Sequence, residues 1–299
     1  MVKNYDILKP FITVVIPTYN CADYLKRALV SVFSQTYQNF EVIVVDNSST
    51  DNTEDVLNSY EDKRLTVIKV NNNGIIAHSR NKGIENAKGD WIAFLDSDDW
   101  WVVDKLQVCF DCIDDKVDLV YHDMKIIRDP PSFFKKKHIK SRQFIKPVLK
   151  DLLLKGNSIA TTSVVVRTSL LEQICGMNES VEMIAAEDYN TWLRIAQITD
   201  NFLHIPKSLG YYLFHSGCVS TKQNREEAHH SACKEFMYLL GPQEKVIYNA
   251  MACYLIALDN FSYSRASIAR KNLQYSIRFG SLPIKAKSLL LYIIVNLKH

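Results

Sequence analysis

Short aliphatic runs alternate with segments of helical spacing through the first 117 residues, and that alternation leaves few folds open. Residues 12–16, 41–45, 65–70 and 91–95 are brief and rich in Val and Ile, which predicts strands. Between the first two, Leu25, Ala28, Leu29, Val32 and Phe33 recur at helical spacing, with Asn20 the expected N-cap and Asp23 in the first turn. Residues 50–60 and 75–87 also predict helices, the second ending before Lys88-Gly89. Such alternation builds a mostly parallel α/β sheet with right-handed crossovers. In open sheets of this kind ligands bind at the carboxyl ends of the strands. Thr18-Tyr19-Asn20, Asp46-Asn47-Ser48-Ser49 and Asp96-Ser97-Asp98-Asp99 each follow a strand directly, so the fold itself gathers them on one rim.

Beyond Val117 the pattern loosens, with a Pro130-Pro131 break and a basic stretch of Lys135, Lys136, Lys137, Lys140, Arg142 and Lys146. From Lys222 the chain reads as largely helical, through residues 237–240, 246–258, 267–279 and 285–297. The pattern places a boundary near Thr221, between an α/β region over residues 1–221, regular over 1–117 and looser over 118–221, and a helical region over 222–299. The N-terminus carries Asp6 and Pro10 before its first apolar run and does not read as a signal peptide. No run reaches the roughly 20 apolar residues of a membrane span. Seven cysteines, an odd number, suggest reduced thiols and a cytoplasmic setting. Net charge is only +3, but residues 260–299 hold seven Lys or Arg and no acidic residue. No nucleic-acid motif accompanies that tail, so nucleic acid is not an expected partner; an anionic membrane surface is one, as is plain packing on the catalytic domain. Neither a G-x-G-x-x-G nor a G-K-[ST] loop is present, which removes the usual support for dinucleotide or P-loop chemistry.

Asp96, Asp98 and Asp99 place three carboxylates within four positions. Like charges so close need a cation or hydrogen-bond donors, so the cluster reads either as a Mg²⁺ or Mn²⁺ site or as a helix start with solvated neighbours. Glu187-Asp188 opens another helical pattern ending in Trp192-Leu193-Arg194. That pair either offsets the helix dipole or removes a proton from a hydroxyl.

Five pieces in fixed order resemble the inverting family 2 glycosyltransferases of the GT-A nucleotide-diphospho-sugar transferase superfamily, over about residues 12–220. They are Val14-Val15-Ile16-Pro17-Thr18-Tyr19-Asn20, Val44-Val45-Asp46-Asn47-Ser48-Ser49-Thr50-Asp51, Arg80-Asn81-Lys82-Gly83, Phe94-Leu95-Asp96-Ser97-Asp98-Asp99, and Glu187-Asp188 with Trp192-Leu193-Arg194. The resemblance implies a GT-A fold and sugar transfer from a nucleotide-diphosphate donor, preferably a UDP-hexose or UDP-N-acetylhexosamine. The acceptor would be a saccharide or lipid-linked saccharide of surface polysaccharide synthesis, met in the cytoplasm or at the inner face of the membrane.

By the same resemblance Pro17, Thr18, Tyr19, Asp46 and Asn47 line the nucleoside pocket, Asn47 departing from the Asp that many relatives carry. Arg80 lies near the nucleotide or the diphosphate, and Asp96-Ser97-Asp98 is the D-x-D element, with Asp98 the first metal ligand, Asp96 nearer the ribose and Asp99 orienting the donor sugar or the metal shell. Asp188 is the general base and Glu187 positions either the loop or an acceptor hydroxyl. Tyr211 to Ser220 resembles the segment closing over the diphosphate, with Leu213 where relatives often carry Arg. His215 there is either a metal ligand or a structural residue. Trp100 and Trp101 either form a wall for the acceptor, with Arg194 nearby, or pack at a helix start. Two rivals are a sugar-nucleotide nucleotidyltransferase, whose Gly- and Arg-rich loop is missing here, and a silent nucleotide- or sugar-binding module, which would be expected to lack the Asp96–Asp98 element or Asp188, both present here.

Overall fold

A computed structural model describes residues 10–130, 137–215, 225–261 and 265–298. Lys135, Lys136 and the segment from Ser216 to Thr221 lie outside the described residues. Among the described residues nine strands run in chain order as β1 (Ile12–Thr18), β2 (Phe40–Asp46), β3 (Leu65–Lys69), β4 (Trp91–Phe94), β5 (Trp100–Trp101), β6 (Leu119–Arg128), β7 (His138–Ile139), β8 (Val165–Arg167) and β9 (Phe202–Phe214). The helices are α1 (Ala22–Phe33), α2 (Thr53–Asn58), α3 (Ile76–Glu85), α4 (Lys105–Asp111), α5 (Val148–Lys155), α6 (Thr168–Gln173), α7 (Glu187–Ala196), α8 (Arg225–Cys233), α9 (Pro242–Asp259), α10 (Ala266–Phe279) and α11 (Leu282–Lys298).

Two compact units divide the chain: residues 1–143, 158–177 and 201–216 form one, and 144–157, 178–200 and 217–299 the other. The division draws α5 and α7, which sequence order assigns to the first region, into the second unit. All nine strands belong to the first unit, in one sheet of order β3-β2-β1-β4-β8-β6-β9-β5, with β7 on β6. The first four strands are parallel, as the alternation predicts. Beyond β4 the sheet becomes mixed, since β8 runs antiparallel to both β4 and β6 while β6 and β9 are parallel. β1, β2 and β4 are buried along their whole lengths, which fits near-continuous aliphatic runs in the middle of a covered sheet.

α1 turns Leu25, Ala28, Leu29 and Val32 into a core with Val14, Ile16, Val42, Val44, Trp91 and Leu106. Its start differs from expectation. Asn20 is not the N-cap: it sits at φ 45°, and its Oδ1 accepts from the Thr50 N–H at 2.7 Å. The first-turn N–H of Ala22 instead donates to Asp51 Oδ2 at 3.1 Å, so the loop before α2 caps α1. Burial pushes the Asp51 carboxyl up, but hydrogen bonds from Thr53 and from the Ala22 backbone outweigh it and hold it below the usual carboxylate value.

The second unit is helical. The Tyr189 hydroxyl on α7 donates to the Leu152 carbonyl at 2.8 Å, and Asn190 Nδ2 donates to Glu235 Oε1 at 2.6 Å. The His229 ring stacks on those of Tyr189 and Tyr248. α10 and α11 pack together with α9 around Ala257, Ala269, Leu273 and Val295, and the Ser276 and Ser288 hydroxyls are bonded at 2.8 Å in the seam.

Candidate active site

β1 is flanked by β2 on one edge and β4 on the other, so the chain reverses its direction across the sheet at β1. A crevice outside the carboxyl ends of strands opens at such a point. Thr18 ends β1 with its hydroxyl buried and without a hydrogen-bond partner, which marks a place prepared for a polar group. Pro17 is buried beside it, paired in register with Val45, and Tyr19 stands 57% exposed.

Asp46 ends β2. Its Oδ1 accepts from the Ser49 N–H at 3.2 Å and the Ser49 hydroxyl at 2.5 Å, a side-chain turn that folds residues 47–49 back over the strand end. The Asn47 N–H donates to the Thr18 carbonyl at 2.9 Å, tying the two loops. Asn47 Oδ1 accepts from the Asn72 N–H at 2.7 Å, which settles which end of the amide is oxygen. Asn72 in turn donates to Ser79 of α3 at 2.8 Å.

α3 carries Arg80 into the crevice because it lies hard against β1: a Cβ on Gly83 would stand 2.3 Å from Val15 Cγ1, so only glycine allows the approach. The Arg80 guanidinium, 3% exposed, donates to Asp96 Oδ1 at 2.7 Å.

The turn after β4 closes with the Asp99 N–H on the Asp96 carbonyl at 3.0 Å, and its carboxylates meet three different surroundings. Asp96 is paired with Arg80. Asp98 Oδ2 lies 3.0 Å from His215 Nε2, both side chains keeping a solvent-facing part. Burial and then the Asp96 charge push the Asp98 carboxyl up, against the pull of His215. Asp99 is 1% exposed; its Oδ1 accepts from the Leu213 N–H at 3.0 Å and its Oδ2 from the Thr162 hydroxyl at 2.7 Å. Burial, then Asp98 and Asp96, raise the Asp99 carboxyl well above its ordinary value. Asp99 is therefore a bracket inside the protein rather than a group presented to a sugar. Ser97 is buried between them.

Sequence reasoning missed Thr162. Its hydroxyl also accepts from the Asp96 N–H at 3.1 Å, and its carbonyl accepts from Trp101 Nε1 at 2.9 Å. A threonine in a 3-10 turn 66 residues away carries no local signal for that position. Trp101 takes the packing alternative: it is 3% exposed, with the Lys105 ammonium 3.8 Å over its ring. Trp100 is half-buried, with the Arg27 guanidinium 3.5 Å over its ring and Tyr211 stacked at 4.9 Å.

In the second unit, Glu187 and Asp188 form the first turn of α7. Glu187 is buried and its carbonyl accepts from the Thr191 hydroxyl at 2.7 Å. Asp188 is half-buried, with Oδ1 accepting from the Tyr189 N–H. Ala185, two residues before this pair, sits at φ 60°, a left-handed conformation that costs an alanine about 1 kcal/mol. Arg194 is half-buried in the last turn of α7.

Among the described residues no group of three or more His, Cys, Asp and Glu is arranged to hold a metal ion. The fit is with a shared shell: Asp98 and His215 are adjacent, crowded by negative charge, and supply one oxygen and one nitrogen donor. A carboxylate with an imidazole suits Mn²⁺, and Mg²⁺ or Mn²⁺ commonly completes its coordination with substrate phosphate and water. Asp96, expected as a second ligand, spends one oxygen on Arg80.

Several known proteins share this arrangement of elements. Staphylococcus aureus TarS 1–349 in complex with UDP-GlcNAc superposes with a TM-score of 0.64 at 21% identity, over 95% of this chain and 90% of that one. The mannosyltransferase PcManGT from Pyrobaculum calidifontis, solved with GDP-Man and Mn²⁺, gives 0.62 at 23% identity, over 97% and 83%. These likenesses establish the α/β GT-A fold. In sequence, the Escherichia coli UDP-Glc:alpha-D-GlcNAc-diphosphoundecaprenol beta-1,3-glucosyltransferase WfaP is 33% identical over 218 residues, 72% of this chain and 82% of that protein. The model described as "Glycosyl transferase family 2" matches residues 13–175, which takes in β1 to α6 and so the strand ends, Arg80, the acidic turn and Thr162. With more than half of its length inside that match, the chain belongs to glycosyl transferase family 2.

Proposed function

We propose that this glycosyltransferase is metal-dependent and moves a hexosyl or N-acetylhexosaminyl group from a UDP-sugar to a hydroxyl of a lipid-linked saccharide, inverting the anomeric carbon. The observation that carries the reading is the meeting of Arg80–Asp96 and Asp98–His215 at the carboxyl ends of β1 and β4, beside the unpartnered Thr18 hydroxyl. The donor class is supported by UDP-Glc in the name of the Escherichia coli relative and by UDP-GlcNAc in the TarS complex; the lipid-linked acceptor is supported by that same relative's name. A charged donor does not cross a bilayer, so the reaction is assigned to the cytoplasmic side.

Thr18, Asp46 and Asn47 hold the nucleoside, and Arg80 offers the diphosphate a fixed cation. Asp98 and His215 would hold the divalent ion, which supplies positive charge against the departing diphosphate. Asp188 accepts the proton of the acceptor hydroxyl, while Glu187 and Arg194 orient the acceptor. The acceptor oxygen then bonds to the anomeric carbon as the bond from that carbon to the phosphate oxygen breaks. One such displacement inverts configuration.

The test is nucleotide release from UDP-, GDP- and dTDP-sugars with Mn²⁺, with Mg²⁺ and with EDTA. Turnover of a UDP-sugar that EDTA abolishes and Asp98→Ala removes is the expected result. Asp188→Asn should retain nucleotide binding while losing transfer. Metal-independent turnover, or no thermal shift with any nucleotide, overturns the reading.

A further inference from the structure

α11 is apolar on two opposite sides, and among the described residues only one of them is covered. Ile284, Ser288 and Val295 are buried, Ile284 against Gly280 and Ser288 against Ser276, while Val295 joins the cluster of α9 and α10. Leu282, Leu289, Ile293 and Leu297, spaced by seven, four and four, line the far side together with Leu290. Their exposures run from 48% to 83%, far above what a packed helix leaves to large aliphatic side chains. Lys285 stands on one edge of this stripe and the exposed Lys287 on the other. No Asp or Glu occurs from Asn260 to His299, so α10 and α11 carry only basic charges.

An apolar stripe edged by lysines on an acid-free helix pair matches an anionic lipid surface in both chemistry and charge. The helix cannot cross a bilayer: none among the described residues is long and apolar enough, and one side of α11 is committed to α9 and α10. Its 17 residues measure about 25 Å.

We propose that the outer face of α11 seats the enzyme on the anionic leaflet of a membrane, with Leu282, Leu289, Leu290, Ile293 and Leu297 entering the headgroup–acyl boundary. The inference stands on this helix alone and needs no property of the nucleotide site.

The test is cosedimentation of the full chain with sugar-free vesicles, of phosphatidylcholine alone and with about one-third phosphatidylglycerol. Binding to the anionic vesicles that weakens with salt is expected. The triple variant Leu289→Gln, Ile293→Gln, Leu297→Gln should lose more than about tenfold in partition. Lys285→Gln and Lys287→Gln should each lose about fivefold on anionic vesicles only. Because the three apolar positions are exposed, the triple variant should keep the parent's melting temperature and its acceptor-free donor hydrolysis. Wild-type protein left in the supernatant, or vesicle binding indifferent to the triple variant, overturns the proposal. So does a dimer in light scattering that the triple variant dissolves without any vesicle binding, since a second copy would then cover the face. If vesicles bind but no nucleotide does, the transferase reading fails and this one stands.

Discussion

Replacing Thr162 by valine keeps the side chain's shape and removes one oxygen, which isolates what that oxygen does. The hydroxyl donates to the buried Asp99 carboxylate at 2.7 Å and accepts from the Asp96 N–H at 3.1 Å. A hydrogen bond to a charged group contributes about 1.5–3 kcal/mol, and an orphaned backbone N–H costs about 1 kcal/mol more, so the change should cost about 3 kcal/mol. In a chain of this size that lowers Tm by about 5 °C. Thr162→Ser keeps the hydroxyl and gives up a methyl group, at about 1 kcal/mol. Guanidinium unfolding of the two variants beside wild type measures the difference. Thr162 lowers the Asp99 pKa by favouring its charged form, so the valine penalty should widen as pH rises through the raised Asp99 value. Equal losses in the valine and serine variants, or a gap that narrows with rising pH, would refute the assignment of Thr162 as the support of the acidic turn.

Three other expectations follow from the same geometry. Burial drops the Lys105 amine, without a hydrogen-bond partner, to about 8 from 10.5. The folded chain then binds fewer protons than the unfolded one between those values, so stability should rise with pH across that window, by about 3 kcal/mol in all. Lys105→Met should abolish the rise and gain stability at pH 7, less the roughly 1–2 kcal/mol of the ammonium over Trp101; denaturation at pH 7 and pH 10 reads both effects. Gly83→Ala drives a methyl into Val15 and should cost about 1–3 kcal/mol, seen as a lower denaturation midpoint. Arg80→Gln should weaken UDP binding by about tenfold to a hundredfold in titration calorimetry, since the amide keeps a hydrogen bond to Asp96 but offers the diphosphate no charge.

The parallel half of the sheet was legible because β1, β2 and β4 are covered on both faces and their sequences are almost uninterrupted aliphatic runs. β9 was not. Between Ile205 and Ser208 its register on β6 slips, and Pro206 falls in the slip, so the run breaks where the strand continues. The acidic turn announced itself by charge density, yet the distinct surroundings of its members did not. Asp99 owes its burial to Thr162 and Leu213, which lie 63 and 114 residues away in sequence. The Asn20 expectation failed for the same reason: the acceptor that meets α1 comes from Asp51, 29 residues beyond Ala22, and short-range propensity has no access to it. The membership of α7 in the second unit likewise depends on Tyr189 and Asn190 finding Leu152 and Glu235, partners that neither sequence order nor spacing announces.

Asp98 and Asp99 together fasten the end of β9 at two points, the Leu213 amide and the His215 ring. Held twice within three residues, that stretch of chain has no freedom to swing independently of the turn after β4. The Leu213 amide proton can therefore leave for solvent only when Asp99 lets go of it. Its hydrogen-exchange rate is a built-in gauge of whether the acidic turn is assembled, and it can be read without nucleotide, metal or acceptor in the tube.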